Sequence, residues 1–195
     1  TLFNCTWILL DGAQFNGING YITIPELPSG VSFTHGFMIE FSMMTSDYLQ
    51  TTKILDLAKS YDVESSGNKG CNIYVGLENE IITFGSTGLT GNSFKLINNM
   101  PLDGLLHTYK FTVEDTGYDY LISLYIDDVI QPNTMKVNYK CVSNTNRESN
   151  FIGRSNTVGE ELFTGSLENL IIKTYESSSA VIYSPAIFEY DTSHS

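Results

Sequence analysis

The feature that most constrains the fold is an alternation of apolar and polar residues with period two, repeated in short runs along the chain. From Phe37 to Met43 every second residue is apolar, and polar residues such as Ser42 fall between them. The runs 71–77 and 107–114 alternate in the same way, which indicates strands with one buried and one solvent-facing side. No run keeps helical spacing, so the chain is predicted to be all-β.

Turn-forming residues separate many such runs. Further strands are predicted at 20–24, 53–58, 80–84, 94–98, 120–127, 150–152, 167–175, 181–184 and 187–190, with loops at 45–52, 60–70, 85–93, 115–119 and 143–149 and a turn at 177–179. So many short strands exceed what one twisted sheet carries comfortably. We therefore expect two packed antiparallel sheets, a β-sandwich of the jelly-roll type, with 1–195 forming a single domain.

The charge of the chain limits its partners. It has 22 acidic and 10 basic residues, a formal charge of −12, which repels phosphate backbones and anionic lipid headgroups. Nucleic acid is therefore excluded as a partner, and the apolar runs are too short for direct membrane insertion. Only 16% of the residues are charged. An uncharged polar surface favours an extracellular or cell-surface location, and the start at Thr1 is expected of a processed secreted chain or of a fragment.

Two features would follow from secretion. Asn4-Cys5-Thr6 is an acceptor pattern for N-glycosylation at Asn4. Three cysteines allow one intramolecular disulfide and leave one thiol, which is either buried or joined to another subunit. We predict that Cys71 pairs with Cys141 and that Cys5, near a chain end, is left over.

Five segments, taken in order, resemble the laminin G-like group of the concanavalin A-like lectin and glucanase superfamily. They are FNGINGYITIP (15–25), FMIEFSMM (37–44), LDGLLHTYKF (102–111), ISLYIDDV (122–129), and FIGR (151–154) followed by FTGSLENLII (163–172). The chain departs from the group at Leu106, where Trp is common, and at Asp128, where Gly is usual. The resemblance implies a jelly-roll sandwich and a lectin-like binding function.

The turns within these segments also have a local explanation. Asn16-Gly17 and Asn19-Gly20 can supply the positive φ that tight turns require. Asp127-Asp128 can close a hairpin through contacts to its own backbone.

The sequence does not favour an enzyme. A glucanase needs two carboxylates on one strand face, and Glu78 and Glu80 have that spacing but lack the further acidic residues of the glucanase pattern. His107 is expected to be a hydrogen-bonded core or edge residue, because no second histidine or glutamate stands at ligand spacing. We therefore predict a non-catalytic module.

Sugars are held by aromatic rings and by amide or carboxylate side chains, and such residues concentrate in the predicted loops. The candidate ring platforms are Tyr48, Tyr61, Tyr118 and Tyr120, and the candidate polar contacts are Asp115, Asp119, Asn144, Asn146 and Arg147. The resemblance also suggests calcium as a cofactor, for which Asp11, Asp103, Asp127 and Asp128 are candidate ligands.

Two functions remain. The first is an extracellular lectin-like module for carbohydrate binding or adhesion, with a glycan or a surface protein as its partner. The alternative is a structural subunit that assembles with itself at the cell surface, which low charge, abundant tyrosine and an unpaired cysteine favour.

Overall fold

The structure is a computed structural model that describes residues 3–26, 33–58, 72–87, 94–138, 147–157 and 159–175, and only the backbone of 3–11, 87 and 138. Its strands are β1 (Phe3–Asn16), β2 (Ile22–Ile24), β3 (Gly36–Met44), β4 (Thr51–Ala58), β5 (Asn72–Glu78), β6 (Ile81–Thr87), β7 (Phe94–Asn99), β8 (His107–Asp115), β9 (Asp119–Ile126), β10 (Val129–Ile130), β11 (Met135–Asn138), β12 (Ser149–Ile152) and β13 (Thr164–Tyr175). These residues contain no helix, and hence none that is long and apolar enough to cross a membrane.

The strands form two antiparallel sheets. The seven-stranded sheet has the order β1-β13-β3-β8-β9-β10, with β11 also pairing with β9, and the six-stranded sheet has the order β2-β12-β4-β5-β6-β7. Strands β4 to β7 follow one another as a meander of hairpins, whereas β1 pairs with β13 from the other end of the described chain. The predicted two-sheet sandwich is confirmed.

The core lies between the sheets and comes from the predicted alternation. Phe37, Ile39 and Phe41 of β3 are completely buried, as the period of two requires. Phe84 of β6 stacks on Phe111 of β8 with ring centroids 5.3 Å apart, so aromatic rings join the two sheets directly. Burial of these apolar faces is the main stabilising contribution.

One solvent-facing side was predicted wrongly. Asn72 and Tyr74 alternate with the core residues of β5 and were expected to face water, yet they are 4% and 8% exposed. The segment 155–157 lies close to this outer face, where the backbone N–H of Asn156 donates to a carboxylate oxygen of Asp56 at 2.9 Å and the amide of Asn72 donates to the other oxygen. A connection distant in sequence therefore buries part of the outer surface.

The turn predictions were partly right. Asp127 and Asp128 have φ of 50° and 63° and close the β9–β10 hairpin, the two-residue turn with positive φ that matches strand twist. Gly17 has the expected φ of 70°. Gly20 does not have a positive φ, because the backbone there is held by the side chain of Asn16, whose Oδ1 accepts the N–H groups of residues 18 to 20.

Three strands were missed. Strand β1 begins at Phe3, far before the predicted turn, and β10 and β11 were not predicted. The register of β1 against β13 shifts between Phe3 and Cys5 and again between Ile8 and Leu10, and such bulges break the period of two. β10 has only two residues, too few to show a pattern. The predicted strands at 181–184 and 187–190, the turn at 177–179 and the loop at 60–70 lie outside the described residues.

Candidate functional site

Two predicted binding residues are buried. Tyr120 is fully buried in the core, and its hydroxyl donates to the carbonyl oxygen of Thr34 at 2.6 Å. Arg147 is 2% exposed; its guanidinium donates to the carbonyl oxygen of Leu57 and lies 5.2 Å from the ring centroid of Phe33. Neither side chain presents a surface to a sugar, so both assignments were wrong.

The remaining described loop residues do not form one site. Tyr118 is 88% exposed in the β8–β9 turn, where Asp115 accepts the N–H of Gly117 and the backbone of Asp119 binds Thr116. Tyr48 lies beyond the end of β3, which pairs with the opposite end of β8. The nine residues of β8 span roughly 27 Å at about 3.4 Å per residue, and the two tyrosines lie in loops at opposite ends of this strand.

Other predicted residues cannot be placed. Tyr61, Cys71, Cys141, Asn144 and Asn146 lie outside the described residues, and Asn4, Cys5 and Asp11 lie in the part of β1 for which only the backbone is described. Their assignments, including the Cys71–Cys141 disulfide, stay predictions.

Three of the calcium candidates bind basic side chains of the chain itself. His107 lies between two carboxylates, with Nδ1 2.6 Å from Asp127 and Nε2 2.9 Å from Asp103, and these hydrogen bonds raise the pKa of His107. The same contact lowers the pKa of Asp127. Lys110 donates to Asp128 at 2.6 Å. Within the described residues, no group of three or more His, Cys, Asp or Glu side chains is arranged to hold a metal.

A polar groove of about 180 Å³ lies on the outer face of the six-stranded sheet. It is lined by Thr51, Lys53, Tyr74, Leu77, Glu78, Thr83, Lys95 and Glu160. The β4–β7 meander brings these residues together, because Lys53 pairs with Gly76, Gly76 with Thr83, and Tyr74 with Gly85 across neighbouring strands. Residues directly opposite in this way share one face of the sheet.

Two ion pairs form walls of the groove. Lys53 donates to Glu160 at 3.0 Å, and Lys95 of β7 donates to Glu78 of β5. The ammonium of Lys53 also lies 4.8 Å from the ring centroid of Tyr74. Thr51 and Thr83 contribute hydroxyl groups, so the groove offers hydrogen-bond donors and acceptors together.

Two glycines on the outer face allow neighbouring groups to pack directly against the backbone. A methyl group at Gly76 would lie 2.7 Å from the carbonyl oxygen of Thr52, and one at Gly85 would lie 2.5 Å from the Tyr74 hydroxyl oxygen. The Tyr74 side chain therefore lies across the bare backbone of β6. A larger residue at Gly85 would displace the Tyr74 ring, and one at Gly76 would clash with the backbone of β4.

The Tyr74 hydroxyl stays protonated in this groove, chiefly because it is buried. Burial raises the pKa of Tyr74 to about 12, and the negative charges of Glu78 and Asp56 add to the shift. Tyr74 therefore keeps its proton at neutral pH and can donate a hydrogen bond.

Sequence reasoning found only part of this groove. Glu78 was considered for catalysis, whereas Lys53, Tyr74, Lys95 and Glu160 were not singled out. The outward positions of β4, β5 and β7 were readable from the alternation, but Glu160 comes from the connection that precedes β13.

Comparison with solved structures shows the laminin G-like, concanavalin A-like fold. A structure of the mouse laminin alpha1 chain, domains LG4-5, superposes with a TM-score of 0.62 at 15% identity over 93% of this chain and 48% of that one. Domain 4 of AbnA, a GH43 extracellular arabinanase from Geobacillus stearothermophilus in complex with arabinotriose, gives 0.59 at 16% identity over 84% and 70%. The binding domain of botulinum neurotoxin DC in complex with SialylT gives 0.55 at 10% identity over 89% and 43%.

This chain spans about half the length of the laminin chain and less than half of the toxin chain. No protein-family model matches the sequence, and no curated protein matches it significantly.

Proposed function

We propose that this chain is a non-catalytic carbohydrate-binding module and that the groove on the six-stranded sheet is its binding site. The observation that carries the proposal is the groove itself, in which two lysine–glutamate pairs, two threonine hydroxyls and Tyr74 surround a polar space. Sugars expose many hydroxyl groups, each of which donates and accepts. A site that offers both hydrogen-bond donors and hydrogen-bond acceptors, without a large apolar surface, suits such a ligand.

The fold supports the same proposal by analogy. Two of the similar structures are complexes with arabinotriose and with SialylT, and one of those proteins is an extracellular enzyme. We extend this to a glycan partner and to an extracellular or cell-surface location for this chain. Proteins with this fold have many different functions. The residues of the groove therefore support the proposal more strongly than the similarity of fold does.

A catalytic role is disfavoured by the contacts of the acidic residues. Glu78 is held by Lys95, and Glu160 is held by Lys53. Glu80 lies in the β5–β6 turn with φ of 68°, so it does not share the strand face of Glu78. The two carboxylates considered for glycoside hydrolysis therefore do not form a pair across a bond.

The proposal is tested by binding on a glycan array and by calorimetry with the best hit. Lys95→Met removes one wall donor from a half-exposed pair, and such pairs contribute little to stability. Lys110→Met is the matched control, because Lys110 also binds a carboxylate but lies on the other sheet. We expect Lys95→Met to bind the glycan roughly tenfold more weakly, because it loses hydrogen bonds from a charged group. The control variant should bind with the wild-type affinity.

If the predicted loop residues bind the sugar instead, the two substitutions should have the opposite effects. If Tyr118→Ala abolishes binding while Lys95→Met leaves it unchanged, the site lies in the β8–β9 turn and the groove assignment is wrong. Tyr118 is suited to this comparison because its exposed ring contributes little to folding.

Self-assembly is the second candidate function. Leu102, Leu105 and Leu106 are 46–63% exposed in the loop before β8, and a cluster of exposed leucines favours association. Size-exclusion chromatography with light scattering distinguishes the two. A monomer at high concentration argues against assembly, whereas an oligomer that Leu105→Ser dissociates supports it.

A further inference from the structure

We infer that the groove takes a single neutral sugar ring and discriminates against the corresponding acidic sugar. This inference rests on the proposed function and adds the chemical class of the ligand. It follows from how the charges of the groove are paired, from its size and from the position of Lys53 over Tyr74.

The charges lining the groove balance. Its two lysines, Lys53 and Lys95, each donate to a glutamate that also lines the groove. A ligand carboxylate would have to displace Glu78 or Glu160 from its lysine and would then lie beside the displaced negative charge. The formal charge of −12 on the whole chain adds to this repulsion.

A hydroxyl group avoids that conflict. The lysine ammonium only donates hydrogen bonds and the ionised carboxylate only accepts them, whereas a hydroxyl does both. A sugar hydroxyl placed at the edge of a lysine–glutamate pair can accept from one member and donate to the other. Both ion pairs then stay intact, and the ligand gains hydrogen bonds to charged groups, which are stronger than neutral ones.

The dimensions indicate one ring. A volume of about 180 Å³ is smaller than the roughly 300–1,000 Å³ that holds a drug-sized ligand. Because Lys53 lies over the Tyr74 ring, that ring face is already covered by a side chain of the groove. Hydrogen bonding, and not stacking on an open aromatic face, therefore selects the ligand.

The test uses matched pairs of methyl glycosides that differ only at C6. Glucose is compared with glucuronic acid, galactose with galacturonic acid, and mannose with mannuronic acid, by NMR titration of the whole chain at neutral pH and low ionic strength. We expect the neutral member of the binding pair to bind at least roughly tenfold more tightly.

Charge removal makes the test specific to the groove. Glu78→Gln deletes a negative charge without changing the shape of the side chain, so the ratio of neutral to acidic affinity is expected to fall. Asp128→Asn is the matched control, since Asp128 binds a lysine on the other sheet. It should leave the ratio at the wild-type value, apart from a small long-range effect that salt screens.

Each outcome has one meaning. Equal or tighter binding of the acidic members overturns the inference and leaves the proposed function standing. A neutral preference that Glu78→Gln does not reduce also overturns it, because the preference then arises elsewhere. If no member of any pair binds, and the glycan array is blank as well, the proposed function fails and this inference fails with it.

Discussion

Asp56 provides the sharpest test of the physical reasoning, because it is a carboxylate buried under the outer face of the six-stranded sheet. It is 1% exposed and accepts hydrogen bonds from the amide of Asn72 at 3.1 Å and from the backbone N–H of Asn156 at 2.9 Å. Burial outweighs these contacts and the charge of Lys53, and raises the pKa of Asp56 from its ordinary 3.8 to about 6.

The size and sign of the effect follow from that shift. A change of about 2 pKa units corresponds to about 3 kcal/mol, at about 1.4 kcal/mol per unit. Because the folded-state pKa is raised, the folded protein binds the proton more tightly than the unfolded chain. The stabilisation is therefore complete below about pH 4 and is lost as the pH rises through about 6.

The assay is urea unfolding of wild type and of Asp56→Asn at pH 4 and pH 7.5. The substitution removes the titration, so the variant should gain up to about 3 kcal/mol of stability relative to wild type between the lower and the higher pH. Asp47→Asn, which removes the same charge from an exposed loop position, corrects for net charge. If the difference between wild type and Asp56→Asn is the same at both pH values, the carboxylate does not titrate in this window and the burial argument is refuted.

Three further predictions concern other parts of the fold. His107→Gln should destabilise more at pH 6 than at pH 9, because the raised pKa of His107 gives a stabilisation that is present below 6.5 and lost as the pH rises through the folded-state value; equal losses in urea unfolding would contradict this. Tyr120→Phe should cost about 1 kcal/mol in the same assay, since it removes a hydroxyl that donates to a backbone carbonyl, and no loss would show that the bond contributes nothing. Gly153→Ala should lower the melting temperature further than Gly117→Ala, because both glycines have positive φ but a methyl group at Gly153 would lie 2.7 Å from a buried phenyl ring; equal shifts would mean that the core yields.

The buried faces of the sandwich could be predicted because the alternation within a single strand shows which of its residues face the core. The period of two in β3 and β8 identified residues that are completely buried, and it needed no knowledge of the neighbouring strands. The same pattern in β9 also indicates that Tyr120 is buried, although it was predicted to bind a sugar. The inner face of β9 is formed by Tyr120, Ile122 and Leu124, which alternate along the strand and are all buried. The tyrosine is therefore a core residue.

Contacts made by distant connections could not be predicted in this way. Asn72 is buried where it shares Asp56 with Asn156, a residue 100 positions after Asp56, and Arg147 is buried against Phe33 and the backbone of β4. Nothing within a strand indicates which later segment will cross it. The outer surface of a sheet is therefore harder to infer than its inner surface.

The groove falls between these two cases. Its four strands, β4 to β7, pair in the order in which they follow one another along the chain, and the glycines at 76 and 85 stand on the outward face of neighbouring strands. Glycine within a strand costs stability and frequently marks a close approach of another group. Two such positions on one face indicate that other groups pack closely on the outer surface of β5 and β6, as the Tyr74 ring does at Gly85. The predicted recognition residues lie in loops, whereas the groove lies on the outer face of a sheet and is lined mainly by strand residues.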